Sequence, residues 1–111
     1  LGATSNVLIR DGGIKGVVVK LGKNFKFIND IQDGLRVGGA ALDMKISLLA
    51  AKKGLGGMEF LSGIPGSIGG SVKMNAGAYG LEISDILQKI KLLKSSVQLS
   101  LKKWQWKIPL I

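Results

Sequence analysis

The chain has 111 residues, 46% of them hydrophobic, and a positive mean hydropathy, which suits one small core and leaves no room for a second full domain. It has no cysteine and no histidine, which excludes disulfides, thiol chemistry, the common zinc constellations and the usual neutral-pH general base. The net charge of +9 is unevenly placed: residues 1–88 hold ten basic and seven acidic side chains, whereas residues 89–111 hold six lysines and no acid. All 17 glycines fall between Gly2 and Gly80, so the chain changes character near residue 90. No apolar run approaches the ~20 residues of a membrane-spanning helix and no charged-then-apolar leader opens the chain, so a soluble, cytoplasmic protein is expected.

In chain order, Asn6 to Ile9 and Lys15 to Leu21 read as two strands joined through Asp11-Gly12-Gly13, a turn sequence tolerant of positive φ. Phe25 to Ile28 and Gly34 to Val37 read as two more, flanked by the turn formers Asn29-Asp30 and Asp33-Gly34. From Ala41 the period changes. Leu42, Ile46, Leu49 and Ala50 recur at helical spacing, Lys52 and Lys53 complement a helix C-terminus, and Gly54 is placed to cap it. Residues 81–87 predict a helical turn that runs into a strand from about Ile86 to Leu93, and Ser96 to Lys107 alternate as a last strand.

Between helix and tail lies SGIPGSIGGSVKMNAGAYG, residues 62–80. Glycine permits positive φ and close approach of backbone to a ligand, and clustered glycines expose NH groups that can point at one anion. LGATSN and GIPGSIGG both qualify as phosphate cradles, but loops this rich in glycine are more often tight turns, in which Ser5 and Asn6 start a strand and Ser67 and Ser71 satisfy turn backbones. Neither is a familiar nucleotide signature: GxxxxGK[ST] is absent, and Gly54-Leu55-Gly56 is followed by Glu59 where GxGxxG needs its third glycine. Glu59 between Met58 and Phe60 suits a capping or salt-bridge role better than lone acid/base work.

The order of the motifs says more than any one of them. LGATSNVLIRDGGIKGVVVKL, then Val37-Gly38-Gly39-Ala40, then GLGGMEFLSGIPGSIGGSVKMNAGAYG resembles the FAD-binding domain of the UDP-N-acetylenolpyruvoylglucosamine reductase family, also called UDP-N-acetylmuramate dehydrogenases. The resemblance implies an α+β fold of the vanillyl-alcohol-oxidase (PCMH) type and not a Rossmann fold. It implies that Gly2, Ser5 and Asn6 cradle the FAD pyrophosphate, that Ile64, Pro65, Ser67, Gly69, Gly70 and Gly77 lie along the flavin, and that Tyr79 faces the substrate side. It implies a reductase with NADPH as hydride donor and a UDP-sugar as small-molecule substrate, acting in peptidoglycan synthesis.

Two departures stand out. Thr4 occupies a position where the family usually has glycine, and a β-branched residue is strained there if the backbone needs positive φ. The family's Tyr-Arg pair, serine proton donor and late glutamate have no counterparts here, so no catalytic residue and no metal ligand is assigned. The expected organisation is a partial FAD domain over residues 1–94, truncated at both ends and lacking the substrate domain, with a basic tail over residues 95–111. Two other readings stay open: a basic nucleic-acid-binding module, in which Lys102, Lys103 and Lys107 interleave with Trp104 and Trp106, and a non-catalytic gene remnant. On the reductase reading no nucleic-acid or membrane partner is expected. The 111-residue chain by itself is expected to show no reductase turnover, and NADPH oxidation coupled to the enolpyruvyl substrate by the purified chain would overturn this.

Overall fold

In the computed structural model, which describes residues 1–94 and 97–101, regular structure starts later in the chain than the apolar pattern implies. The strands expected over Asn6 to Ile9 and Lys15 to Leu21 do not form. Their turn is present, with the Gly13 NH donating to the Arg10 carbonyl at 2.8 Å and Gly13 at φ +71°. No ladder follows it. Leu8 and Val17 are 95% and 91% exposed, and a two-stranded hairpin whose apolar side chains reach no core is marginal in water. The Leu1 nitrogen donates to the Val19 carbonyl at 2.6 Å, which ties the two ends of this stretch.

The next hairpin does form. Strands β1 (Ile28–Ile31) and β2 (Gly34–Val37) pair antiparallel, Ile28 opposite Val37 and Ile31 opposite Gly34. The second strand is as expected, but the first is displaced because Lys23–Phe25 takes a 3-10 turn. Asn29 and Asp30, expected to turn, lie in the strand; the loop is Gln32-Asp33, where Asp33 supplies φ +60°, a conformation its short polar side chain tolerates.

Helix α1 (Asp43–Lys52) is the helix that the periodicity predicts. It ends in a Schellman motif, with Gly54 at φ +70°, its NH on the Ala51 carbonyl at 3.1 Å and the Leu55 NH on the Ala50 carbonyl at 2.9 Å. Its buried stripe is Asp43, Ile46, Ser47 and Ala50, the i, i+3, i+4, i+7 face of a helix. Leu42, expected on that face, is exposed, and a carboxylate heads the stripe instead. The helix packs on a 3-10 segment, Glu59–Gly63, which carries Phe60 and Leu61 inward.

Helix α2 (Ile68–Met74) ends at Asn75, whose φ of +45° makes a left-handed cap. Strands β3 (Gly77–Ala78) and β4 (Leu81–Glu82) pair around Tyr79 and Gly80, both at positive φ, the backbone pattern of a type I′ hairpin loop. The expected helical turn is α3 (Ile83–Ile86), opened by a reciprocal capping box between Glu82 and Asp85. Strands β5 (Ile90–Lys94) and β6 (Val97–Leu101) form a third antiparallel pair. The first begins four residues later than expected, and the remainder of the expected last strand, with Trp104 and Trp106, lies outside the described residues. Separate antiparallel pairs with helices between them make this an α+β fold.

One seam joins the halves. Residues 39–43 run antiparallel to residues 66–69: the Gly69 NH donates to the Gly39 carbonyl at 2.9 Å, the Ile68 NH to Ala41 at 2.9 Å, and the Asp43 NH to Gly66 at 3.0 Å, with Leu42 bridged to Ser67. A Cβ on Gly69 would sit 2.7 Å from the Gly39 oxygen, so a side chain there would open the seam. Ala41, Ile46, Phe60, Leu61, Ile68 and Ile83 form the core around it, and Ile28, Leu35 and Val37 of the first hairpin pack against its edge. Leu61→Ala, at a side chain with 0% exposure, is expected to cost about 2–5 kcal/mol in urea denaturation. A loss below about 1 kcal/mol would contradict this placement of the core.

Candidate functional site

The seam sets Gly66 and Ser67 beside the start of α1, and the N-terminal loop lies against them. A Cβ built on Gly2 would lie 2.5 Å from the Ser67 hydroxyl oxygen, and one on Gly66 would lie 3.5 Å from the Ser5 hydroxyl oxygen. Gly70 faces the same Ser67 hydroxyl, with its Cβ position 3.7 Å away. Gly2, Ser5, Ser67 and Gly70 are thus brought together across some sixty residues of chain. The backbone NH groups of residues 2–6 meet no acceptor among the described residues. Ser67 is the N-cap of α2 and is buried, yet its hydroxyl makes no cap bond.

The other expected site residues are placed less uniformly. Pro65 is exposed at a tight bend where the Gly66 NH reaches the Ile64 carbonyl at 2.9 Å, while the Ile64 side chain packs against the core. The missing side chain of Gly69 serves the seam. At Gly77 a Cβ would lie 2.9 Å from the Leu81 carbonyl oxygen, so that glycine is required by its own hairpin, which packs on the 3-10 segment Glu59–Gly63. Asn6 is exposed. Glu59 is exposed and makes no ion pair among the described residues; Lys53 pairs with Asp30 instead.

Two residues hold left-handed backbone that their side chains disfavour. Thr4 has φ +61°, so the strain that the sequence implies at this position is present. Tyr79 has φ +54° and is 84% exposed, with its ring lying over Gly63, where a Cβ would come 2.9 Å from Cε2. Such conformations cost about 1–2 kcal/mol each and collect at functional sites. They present Thr4 in one loop and a solvent-facing aromatic over Gly63 in the other. A shallow hollow next to Tyr79, lined by Gly77, Ala78, Gly80, Leu81, Glu82 and Asp85, is acidic, so the loops and not this hollow suit an anion.

Sequence reasoning missed Asp43. Its side chain is fully buried, its Oδ2 accepts a hydrogen bond from the Ser71 hydroxyl, and its Oδ1 has no partner among the described residues. Ser71, read from sequence as a turn residue, therefore faces a carboxylate. An orphaned buried acceptor costs about 1–3 kcal/mol. Burial pushes the Asp43 carboxyl up from 3.8 to about 6, with the Ser71 hydrogen bond working in the opposite direction. The available signal was an acid three residues before Ile46 and seven before Ala50, on the stripe that a helix buries.

Because the folded-state value is the higher one, the folded chain binds more protons than the unfolded chain between about pH 4 and 6. The penalty of ionising Asp43 is then absent below pH 4, grows as pH rises, and is complete above pH 6. Asp43→Asn, which cannot ionise, is expected to gain stability relative to the parent across that window, by on the order of 3 kcal/mol at pH 7. Equal pH dependence of the two proteins in denaturation between pH 4 and 7 would refute this.

The family model described as "FAD binding domain" matches residues 1–96. A UDP-N-acetylenolpyruvoylglucosamine reductase of Acidiphilium cryptum is 60% identical over 87 residues, covering 78% of this chain and 28% of that protein. Proteins of the same name from Granulibacter bethesdensis and Gluconobacter oxydans are each 52% identical, over 83% and 89% of this chain and 30% and 32% of their own lengths. The chain spans roughly 30% of the length of these curated relatives. With the family model matched over nearly its whole length, the chain belongs to the FAD binding domain family, in the form carried by UDP-N-acetylenolpyruvoylglucosamine reductases.

Proposed function

We propose that this chain binds FAD and is the flavin-cradling part of an enzyme that reduces the enolpyruvyl ether of UDP-N-acetylglucosamine to UDP-N-acetylmuramate with NADPH, in peptidoglycan synthesis. The observation that carries the reading is the pairing of two glycine loops with uncommitted donors, residues 2–6 beside Gly66 and Ser67, in a member of this family. Free backbone NH groups are the donors that a pyrophosphate takes, and the missing side chain of Gly2 lets the N-terminal loop lie against the Ser67 hydroxyl. The residues present therefore fit FAD.

On this reading Gly2, Ser5 and Asn6 hold the pyrophosphate, and Ile64, Pro65, Ser67, Gly69, Gly70 and Gly77 line the isoalloxazine. Ile64 does so by its backbone, because its side chain is used in the core. Gly69 and Gly77 contribute flat backbone whose glycine identity the fold itself requires. Tyr79 faces the UDP-sugar, and its left-handed backbone keeps the ring out of the core and over Gly63. Bound flavin supplies hydride transfer between NADPH and the enolpyruvyl double bond, and the protein supplies orientation. A cytoplasmic location goes with a nucleotide-sugar substrate and a nicotinamide donor.

Titration of FAD into the purified chain is expected to quench flavin fluorescence and raise the melting temperature; no effect at saturating FAD would sink the proposal. Thr4→Gly relieves about 1–2 kcal/mol of left-handed strain, less about 0.4–1 kcal/mol of added freedom in the unfolded chain. It is expected to tighten FAD binding about three- to fivefold, because more molecules then hold the binding-competent loop. Unchanged or weaker binding would show that Thr4 is not strained against the cofactor.

A further inference from the structure

We propose that Asp43 is a positioning residue that clips the N-terminal loop onto the Gly63–Ser71 stretch, with the Ser5 hydroxyl as a second donor to its carboxylate; the proposal rests on reading these loops as the flavin cradle. Asp43 is fully buried and has two acceptor oxygens. The first is taken by Ser71 of α2, and the second has no partner among the described residues. The group standing between Asp43 and the N-terminal loop is Gly66, which has no side chain. Around its missing Cβ lie the Ser5 hydroxyl oxygen at 3.5 Å, Asp43 Oδ2 at 3.6 Å and the Ser71 hydroxyl oxygen at 3.8 Å.

Three oxygens thus surround one small gap, and two of them belong to serines on opposite walls of the cradle. Ser71 has already committed its proton to Asp43, whereas the Ser5 hydroxyl makes no hydrogen bond among the described residues. A buried carboxylate oxygen gains more from a hydroxyl donor than an exposed hydroxyl loses by leaving water. Closure of Ser5 onto Asp43 would give one carboxylate with a serine on each side and would leave the NH groups of residues 2–6 facing outward. Ser5 then has two separate tasks: its NH meets the anion, and its hydroxyl fixes the loop that presents that NH. A ligand seated on those NH groups favours the closed arrangement and draws the population toward it.

The test is a double-mutant cycle on the 111-residue chain, read as the Kd for FAD by fluorescence quenching and as amide hydrogen exchange of residues 3–7 without FAD. The variants are Ser5→Ala, Ser5→Thr, Asp43→Leu and the Ser5→Ala/Asp43→Leu pair. Leucine places an apolar group on the buried stripe of α1 and removes a buried, half-partnered carboxylate. Ser5→Ala and Asp43→Leu are each expected to weaken FAD binding about tenfold, with the pair no weaker than the worse single change. Both are expected to speed exchange of the loop several-fold. Ser5→Thr keeps the hydroxyl and is expected to recover most of the binding and exchange protection that Ser5→Ala loses. Gly66→Ala, whose new methyl fits at ordinary contact distance but fills the gap, is expected to mimic Ser5→Ala, and it carries the test if Asp43→Leu fails to fold. Additive effects, or unchanged binding and exchange in Ser5→Ala, would overturn the clip. Absence of FAD binding by the parent chain would sink the flavin reading instead, and loop exchange in Ser5→Ala and Gly66→Ala would then decide the clip by itself.

Discussion

The antiparallel seam between residues 39–43 and 66–69 is the constraint on which the rest of the chain depends. Three backbone hydrogen bonds and one isolated bridge hold together segments that are otherwise far apart in sequence, and they do so at the entrance of both α1 and α2. Ala41 and Ile68 carry the core on one side of this seam. On the other side it delivers Gly66, Ser67 and the start of α1 to the same place, which is where the N-terminal loop comes to rest. The seam tolerates no side chain at Gly69, because the Gly39 carbonyl occupies the position of its Cβ. Local backbone geometry and the meeting place of the two glycine loops are thus set by the same few contacts.

The loops around the seam and the hairpin over Gly63 are also where the chain breaks the rules that it follows elsewhere. Thr4 and Tyr79 sit in left-handed conformations that favour glycine, Ser67 caps a helix without using its hydroxyl, and Asp43 is a buried carboxylate with an unpaired oxygen. The remainder of the structure is locally consistent: a Schellman motif closes α1, a capping box opens α3, and an aspartate supplies the turn of the first hairpin. Departures of this kind collect at functional sites. The glycines divide along the same line. Gly38, Gly69 and Gly77 are small because the protein's own backbone is in the way, whereas Gly70 meets nothing closer than a serine hydroxyl.

Sequence and structure agree where a segment's pattern refers to its own backbone. The helix from Asp43 to Lys52, its glycine-capped end, the strand Gly34–Val37 and the helical turn near Ile83 were legible because periodicity, capping and turn chemistry are local. The N-terminal strands misled for the opposite reason. Val7, Leu8, Ile9 and Val17 to Val19 alternate and branch as strand residues do, but a strand needs a partner and a core, and Leu8 and Val17 face solvent. Asp43 shares the buried stripe of Ile46 and Ala50, but an acid in the first turn of a helix is equally at home in solvent, so its burial was fixed by the segment that packs over it.

The sequence by itself determined the kind of fold, the helix and its stop, the two glycine loops and, through the order of their motifs, the family to which the chain belongs. These are properties of local conformational preference and of motif spacing, and both survive without knowledge of what packs on what. Only the tertiary structure decided that Gly2 meets Ser67, that Ser5 and Asp43 flank Gly66, that Ser71 serves a carboxylate, and that Gly69 and Gly77 are small for the protein's own sake. Those facts depend on which segments the seam brings into contact. A contact between residues sixty positions apart is fixed by the packing of the whole chain and has no local signature.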